Sequence, residues 1–317
     1  MLKGRARRVL AVCAASAALM FAACGGGGTG AAGDEDWYTF TDDAGRVISL
    51  SEKPERTAVL FSSFAEVWSL AGGRTDITVG ESVERGFAGE DAVLVDDGAG
   101  KTINTELLVA SGPDFVICSA DIEAQADAAE LLNSSGIPAA CFRIETFEDY
   151  LRVLKICTDI TENPGAYRTN GEEVKARIDA LLSSVDGEPE MKNILFVRAG
   201  SGASATKAKT ADQHFAAAML KELGTHNIAE DAAVLLDGLS LEAVITADPD
   251  YIFISTMGSE DAARAYMDSV LAEPAWQALS AVQKGNFAYL PKELFQFKPN
   301  ARWDEAYAYL IGLVYEE

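Results

Sequence analysis

Between Trp37 and Leu50 apolar and polar residues alternate around Asp-Ala-Gly, which predicts two strands joined by a tight turn. Beyond Arg56 the period changes. Short apolar runs now alternate with segments whose apolar residues recur at helical spacing. TAVLF (57–61) leads into a helix over FAEVWSLAGG, and DITVG (76–80) leads into a loop over Glu81–Glu90. A helix from Asn104 precedes DFVIC, a helix over about Asp127–Ser134 follows, and AACFRI comes next. From Pro164 to Val185 no strand pattern is visible. Val174, Ile178, Leu181 and Leu182 instead fall on one face of a single long helix. The alternation then resumes with NILFV, a glycine-rich loop, a helix from about Asp212 to Leu223, a helix over EPAWQALSAVQKG, the strand NFAYL and a final helix from Asn300. Trp303, Tyr307, Leu310 and Val314 form one stripe on that last helix. Strands alternating with helices predict α/β architecture with mainly parallel sheets covered on both faces.

One phrase occurs twice. NTELLVASGPDFVICS begins at Asn104 and SLEAVITADPDYIFIS begins at Ser240. Each has an N-cap residue, a Glu two places on (Glu106, Glu242), then Pro-Asp and a buried-type strand ending in Ser. The two copies stand at equivalent places on either side of the long helix. The predicted organisation is therefore pseudo-symmetric: a first α/β lobe over 37–145, a helical connector over 146–190 and a second α/β lobe over 191–317. A carboxylate in the first turn of a helix stabilises it by roughly 0.3–1 kcal/mol, which is the plain reading of both glutamates.

The first residues do not belong to that body. Lys3, Arg5, Arg7 and Arg8 precede the apolar stretch Val9–Ala23, too short for an ordinary spanning helix and the right size for a signal-peptide core. Residues 1–23 read as a leader that ends within FAAC (21–24), just before Cys24, and residues 24–36, rich in glycine, read as a flexible tether. The whole chain of 317 residues carries 26 Lys and Arg against 49 Asp and Glu, a net charge of −23. Such a chain is repelled by nucleic acid and by anionic lipid, which excludes nucleic-acid binding. Cys118, Cys141 and Cys157 fit no zinc motif and read as small buried residues, with a Cys118–Cys141 disulfide as the alternative.

The FAAC segment resembles the lipobox of bacterial lipoproteins, with Phe21 where Leu is usual; the resemblance implies acylation of Cys24 and a membrane anchor. Together with the lobe–helix–lobe order, GPDFVIC, DPDYIFI and the closing FKPNARWDEAYAYLIGLVY, the chain resembles the substrate-binding proteins of ABC importers, in the group that binds ferric siderophores, vitamin B12 and haem. The resemblance covers about Arg56 to the C-terminus. It implies a monomeric, extracytoplasmic receptor that performs no catalysis and needs no cofactor. A metal chelate would bind between the lobes, with modest closure. It also implies that Glu106 and Glu242 dock onto the two subunits of a permease driven by its ATPase.

In open α/β sheets ligands collect beyond the carboxyl ends of the strands. Those ends give Ser62, Ser63, Phe64, Arg85, Arg143, Arg198, Lys207, Phe295, Phe297 and Lys298 as candidate ligand contacts, with Phe61, Phe87, Ser119 and the 255–257 segment nearby. Arginines suit carboxylates and phenylalanines suit an apolar wall, so the set fits a bulky, partly anionic chelate. GSGASA (200–205) matches a dinucleotide fingerprint only loosely, because TKAKTADQ separates it from the next helix, whose start reads as a Thr210–Gln213 capping box. The only histidines, His214 and His226, are too few for a bare-metal site. His214 near a chelate or haem is a minor reading. The competing classes are an extracytoplasmic enzyme and a sensor ectodomain on the same two-lobe fold. The absence of a convincing nucleophile–base pair weighs against the enzyme.

Overall fold

The computed structural model describes residues 36–96, 102–185 and 191–315. The leader, Cys24 and most of the tether lie outside them. Strands β1 (Tyr38–Thr41) and β2 (Val47–Leu50) form the expected antiparallel hairpin. Its turn is tied by Asp42, whose carboxylate accepts from Ala44 N and Arg46 N and pairs with the Arg46 guanidinium.

The first sheet is wholly parallel. It takes β3 (Thr57–Val59), β4 (Ile77–Thr78), β5 (Val93–Leu94), β6 (Phe115–Ser119) and β7 (Ala139–Phe142) in the order β5-β4-β3-β6-β7. Its helices are α1 (Ser62–Leu70), α2 (Gly80–Glu84), α3 (Thr105–Ala110) and α4 (Glu123–Ser134). The stretch read as a loop from Glu81 thus starts with a short helix. Cys118 and Cys141 face each other across β6 and β7 as buried free thiols, and Cys157 is a buried thiol elsewhere.

Two helical segments follow, α5 (Phe147–Ile160) and a second run made of α6 (Pro164–Tyr167), a π turn (Arg168–Glu172) and α7 (Glu173–Ser184). Thr146 and Asp149 close a reciprocal capping box that starts α5. The break after it has local causes: Glu162 takes φ 57°, Asn163 caps the next helix and Pro164 sits in its first turn. The predicted long helix is therefore observed, but with a bulge. There Tyr150 donates to the Asn170 carbonyl at 2.8 Å and takes that acceptor out of the regular ladder. Gly171 lies at the crossing with α5, where an added Cβ would come within 3.0 Å of Leu151.

The second sheet holds β8 (Asn193–Ala199), β9 (Lys207–Ala208), β10 (His226–Asn227), β11 (Tyr251–Thr256) and β12 (Phe287–Tyr289). The order is β10-β8-β11-β12, all parallel, with β9 antiparallel against β8. Its helices are α8 (Phe215–Glu222), α9 (Val234–Asp237), α10 (Leu241–Ala247), α11 (Glu260–Leu271), α12 (Ser280–Lys284) and α13 (Lys292–Phe295), and the chain closes with α14 (Trp303–Tyr315). Helix α8 begins later than predicted because His214, not Thr210, is its N-cap. The EPAWQALSAVQKG segment is helical only at its end. The four-residue stripe on α14 is buried throughout.

Alternation within the strands explains how the sheets pack. On β6, Phe115 and Ile117 face one core while Val116 and Cys118 face another. On β8, Ile194 and Phe196 enter the same core as Phe115, and Leu195 and Val197 enter a third. One hydrophobic cluster therefore runs through both sheets, filled by α1, α5, α8 and α14. Trp303 lies at its middle, edge-on to Phe147 at 6.1 Å and to Phe215 at 5.5 Å.

Candidate functional site

The repeated phrase occupies matching places. Helix α3 leads into β6, which lies between β3 and β7; α10 leads into β11, which lies between β8 and β12. Glu106 and Glu242 are exposed in the first turns of α3 and α10. Asn104 caps α3 by accepting from Leu107 N, whereas Ser240 makes no such bond. A cavity of about 630 Å³ lies beside Glu242, lined by His226, Asp231, Ala243 and Thr246. It includes Asn193, the first residue of β8, and so lies away from the strands' carboxyl ends.

The carboxyl ends of the two sheets meet through the segment Phe297–Asn300. Phe297 stacks on Arg85 with 3.9 Å from guanidinium carbon to ring centre. Lys298 pairs with Glu145 at 2.8 Å. Asn300, at φ 51° and fully buried, donates to the Ser63 carbonyl and to Glu66, both at 3.0 Å. Beside this seam a cavity of about 440 Å³ is lined by Glu66, Glu81, Arg85, Phe87, Lys292 and Phe297, among others.

The basic candidates divide into two groups. Arg85 lies between the Phe87 and Phe297 rings, donates to Ser62 Oγ at 2.9 Å and pairs with Glu66 at 3.2 Å. Ser62 Oγ in turn donates to Glu81. Burial lowers the Arg85 pKa and raises that of Glu66, and their mutual attraction opposes both shifts. Arg143 is exposed and paired with Asp121 at 2.5 Å. These arginines and Lys298 already have internal acidic partners. Phe64 and Phe295, at 3% and 0% exposure, are core side chains and present no wall to a crevice; Ser62 and Ser63 are also buried.

Arg198 and Lys207 belong to the second group. They stand opposite each other on β8 and β9, so their side chains share one face of the sheet. Lys209, two residues after Lys207, falls on the same face, and its amide bonds the Phe196 carbonyl. No ion pair or side-chain hydrogen bond holds Arg198, Lys207 or Lys209 among the described residues. Burial lowers the Arg198 pKa, with the charge of Glu145 opposing. Burial, then the charges of Arg198 and Lys207, lower that of Lys209. On the neighbouring strand Ser255 stands level with Arg198; its buried Oγ has no partner among the described residues. Sequence reasoning missed Lys209 and Glu145. The spacing KAK around Ala208 carried the signal for Lys209; nothing local marked Glu145.

His214 lies among these charges. Its ring sits 4.8 Å from those of both Phe196 and Phe215, and its Nδ1 accepts from Ala216 N. Burial first, then the charges of Arg198, Lys298 and Lys209, hold its pKa well below the ordinary histidine range. The unfolded chain takes up this proton near pH ~6.5 and the folded chain only at lower pH. The stability supplied by the neutral ring is thus present above that pH and lost as pH falls. His214→Asn, which keeps an acceptor for the helix start, should remove that loss, which for one proton is at most about 1.4 kcal/mol per pH unit below ~6.5. Urea unfolding of both proteins at pH 7 and pH 5 checks this.

The glycine loop after β8 closes on itself: Gly200 N donates to Thr206 Oγ1 at 3.1 Å, and a Cβ on Gly200 would lie 2.5 Å from that of Ala205. The helix that a phosphate cradle needs does not follow. Among the described residues no group of three or more His, Cys, Asp or Glu is arranged to hold a metal ion, and no helix is long and apolar enough to cross a membrane.

Residues 57–294, most of the chain, match the model of the family described as periplasmic binding protein. The chain belongs to the periplasmic binding protein family. Solved structures share its fold at low identity. An ABC transporter substrate-binding protein from Listeria monocytogenes is 16% identical at a TM-score of 0.68, covering 84% of this chain and 100% of that one. The periplasmic heme-binding protein RhuT from Roseiflexus is 18% identical at 0.66, covering 83% and 98%. SirA from Staphylococcus aureus, solved with staphyloferrin B, is 16% identical at 0.64, covering 88% and 97%. A search of curated protein sequences returns no match. In this periplasmic binding protein each copy of the repeated phrase ends in a strand that has a neighbour on both sides, β6 in one sheet and β11 in the other.

Proposed function

We propose that the chain is an extracytoplasmic, lipid-anchored receptor that captures an anionic iron complex and delivers it to an ABC importer. A ferric siderophore is the first choice of ligand, ahead of haem and a corrinoid. The observation that carries this reading is the group Arg198, Lys207 and Lys209: three cations on one sheet face, without an acid pair among the described residues, in a chain of net charge −23. Like charges so placed repel one another at a cost to folding, which an anionic ligand offsets on binding. Phe297 and Phe87 at the adjoining seam supply apolar surface. The ligands named for SirA and RhuT, staphyloferrin B and heme, lie within this chemistry. His214 favours the siderophore over haem, since its ring is buried and its Nδ1 is committed to the helix.

On this reading residues 37–145 and 191–317 act as lobes about the connector 146–190, Cys24 carries the lipid, and Glu106 and Glu242 meet the permease. The test is quenching of tryptophan fluorescence by ferric citrate, ferrichrome, ferrioxamine B, haem and cobalamin. Saturable binding that is strongest for anionic ferric chelates is expected. Preference for a cationic or metal-free compound would overturn the assignment.

A further inference from the structure

Among the described residues the acidic charge that acts on Arg198 is that of Glu145, in the loop after the last strand of the first sheet. Glu145 lies three residues beyond the end of β7, just before the cap of α5. Its Oε1 accepts from Lys298 Nζ at 2.8 Å, and it is the acidic residue whose field acts on Arg198. Lys298 also lies 5.0 Å above the Phe215 ring, next to His214. Glu145 and Lys298 are each partly exposed, at 35% and 18%, so the pair can be reached from solvent. Its backbone is held independently: Glu145 N donates to Asp149 at 3.1 Å, within the capping box of α5. The carboxylate is thus an arm on a fixed base, and its partner ammonium is held by that carboxylate and the Phe215 ring.

We infer that Glu145 is a specificity-determining residue that competes with the ligand for this basic group. An anionic donor of the ligand that reaches Lys298 must take the position Glu145 holds, and its negative charge must be tolerated beside Glu145. Ligands with several anionic groups gain enough from Arg198, Lys207 and Lys209 to do so; ligands with one do not. Displacement also removes one of the contacts that tie the Phe297–Asn300 segment to Arg85, Glu145, Ser63 and Glu66, so discrimination among ligands is tied to the seam between the sheets. This rests on the reading of the basic group as the anion site.

The experiment compares wild type, Glu145→Gln, Glu145→Asp and Arg198→Ala, titrated with ferric citrate as the anionic probe and ferrichrome as a neutral one. Glu145→Gln should bind ferric citrate about tenfold more tightly, as expected for removing one nearby like charge in a partly exposed site. Its affinity for ferrichrome should not change, and Glu145→Asp should resemble wild type. Thermal midpoints of all four proteins separate affinity from folding. Weaker or unchanged citrate binding by a folded Glu145→Gln protein, with Arg198→Ala still weakened, overturns the competition and leaves the anion site standing. Arg198→Ala binding as tightly as wild type removes the anion site and this inference with it. No binding of ferric citrate by any of the four does the same.

Discussion

Replacing Arg198 by alanine is expected to weaken binding of an anionic ferric chelate by about 10–100-fold. Hydrogen bonds to charged groups contribute roughly 1.5–3 kcal/mol, and each ~1.4 kcal/mol is a factor of ten in affinity. Arg198 is half-buried, sits opposite Lys207 and has no acid pair among the described residues. Its guanidinium is therefore available for a bidentate contact, which neither Arg85 nor Arg143 can offer without first leaving Glu66 or Asp121. Stability should hold or rise, because the substitution relieves repulsion with Lys207 and Lys209. Fluorescence titration together with urea unfolding checks both. A stable Arg198→Ala protein with undiminished affinity would move the ligand elsewhere in the fold.

Reversing both repeated glutamates should abolish uptake and leave ligand capture intact. Glu106 and Glu242 are exposed, each in the first turn of its helix, so substitution disturbs no packing. Loss of the favourable interaction with the helix N-terminus costs about 0.3–1 kcal/mol at each site, too little to unfold the chain. At a docking surface the same changes turn two attractions into two repulsions, and like charges across an interface cost several kcal/mol. Iron uptake by cells whose only receptor is Glu106→Lys, Glu242→Lys should fall to background. Each single variant should lie between the extremes. Full uptake by the folded double variant would reduce both residues to helix stabilisers.

What the sequence conveyed well was whatever depends on neighbours along the chain. The hairpin at Asp42, the parallel strands, the stripe on α14 and the paired phrases all follow from spacing, because burial on one face imposes a period. The long helix was legible too, but its π turn was not, since it depends on Tyr150 reaching Asn170 from another helix. Helix α8 starts at His214 rather than Thr210 because the imidazole, not a hydroxyl, takes the helix N–H. The candidate site was half legible. Strand ends located Arg198 and Lys207, yet the same rule also selected Phe64 and Phe295, which tertiary packing draws into the core. Which cations are already neutralised is decided by partners far away in sequence, such as Glu145 for Lys298, and no local pattern carries that information.

The cluster that runs through both sheets bears on how the protein can be taken apart. A fragment ending near residue 145 would keep α1 over β3 and β6 but lose α5, α8 and α14 from the shared cluster, and a fragment starting near residue 191 would keep α8 and α14 but lose α5, whose Phe147 packs on Trp303. Neither piece is a natural unit for expression, grafting or recombination with a relative. Evolutionary exchange of ligand preference is then expected through loops such as 143–145 and 297–300, not through swapping halves.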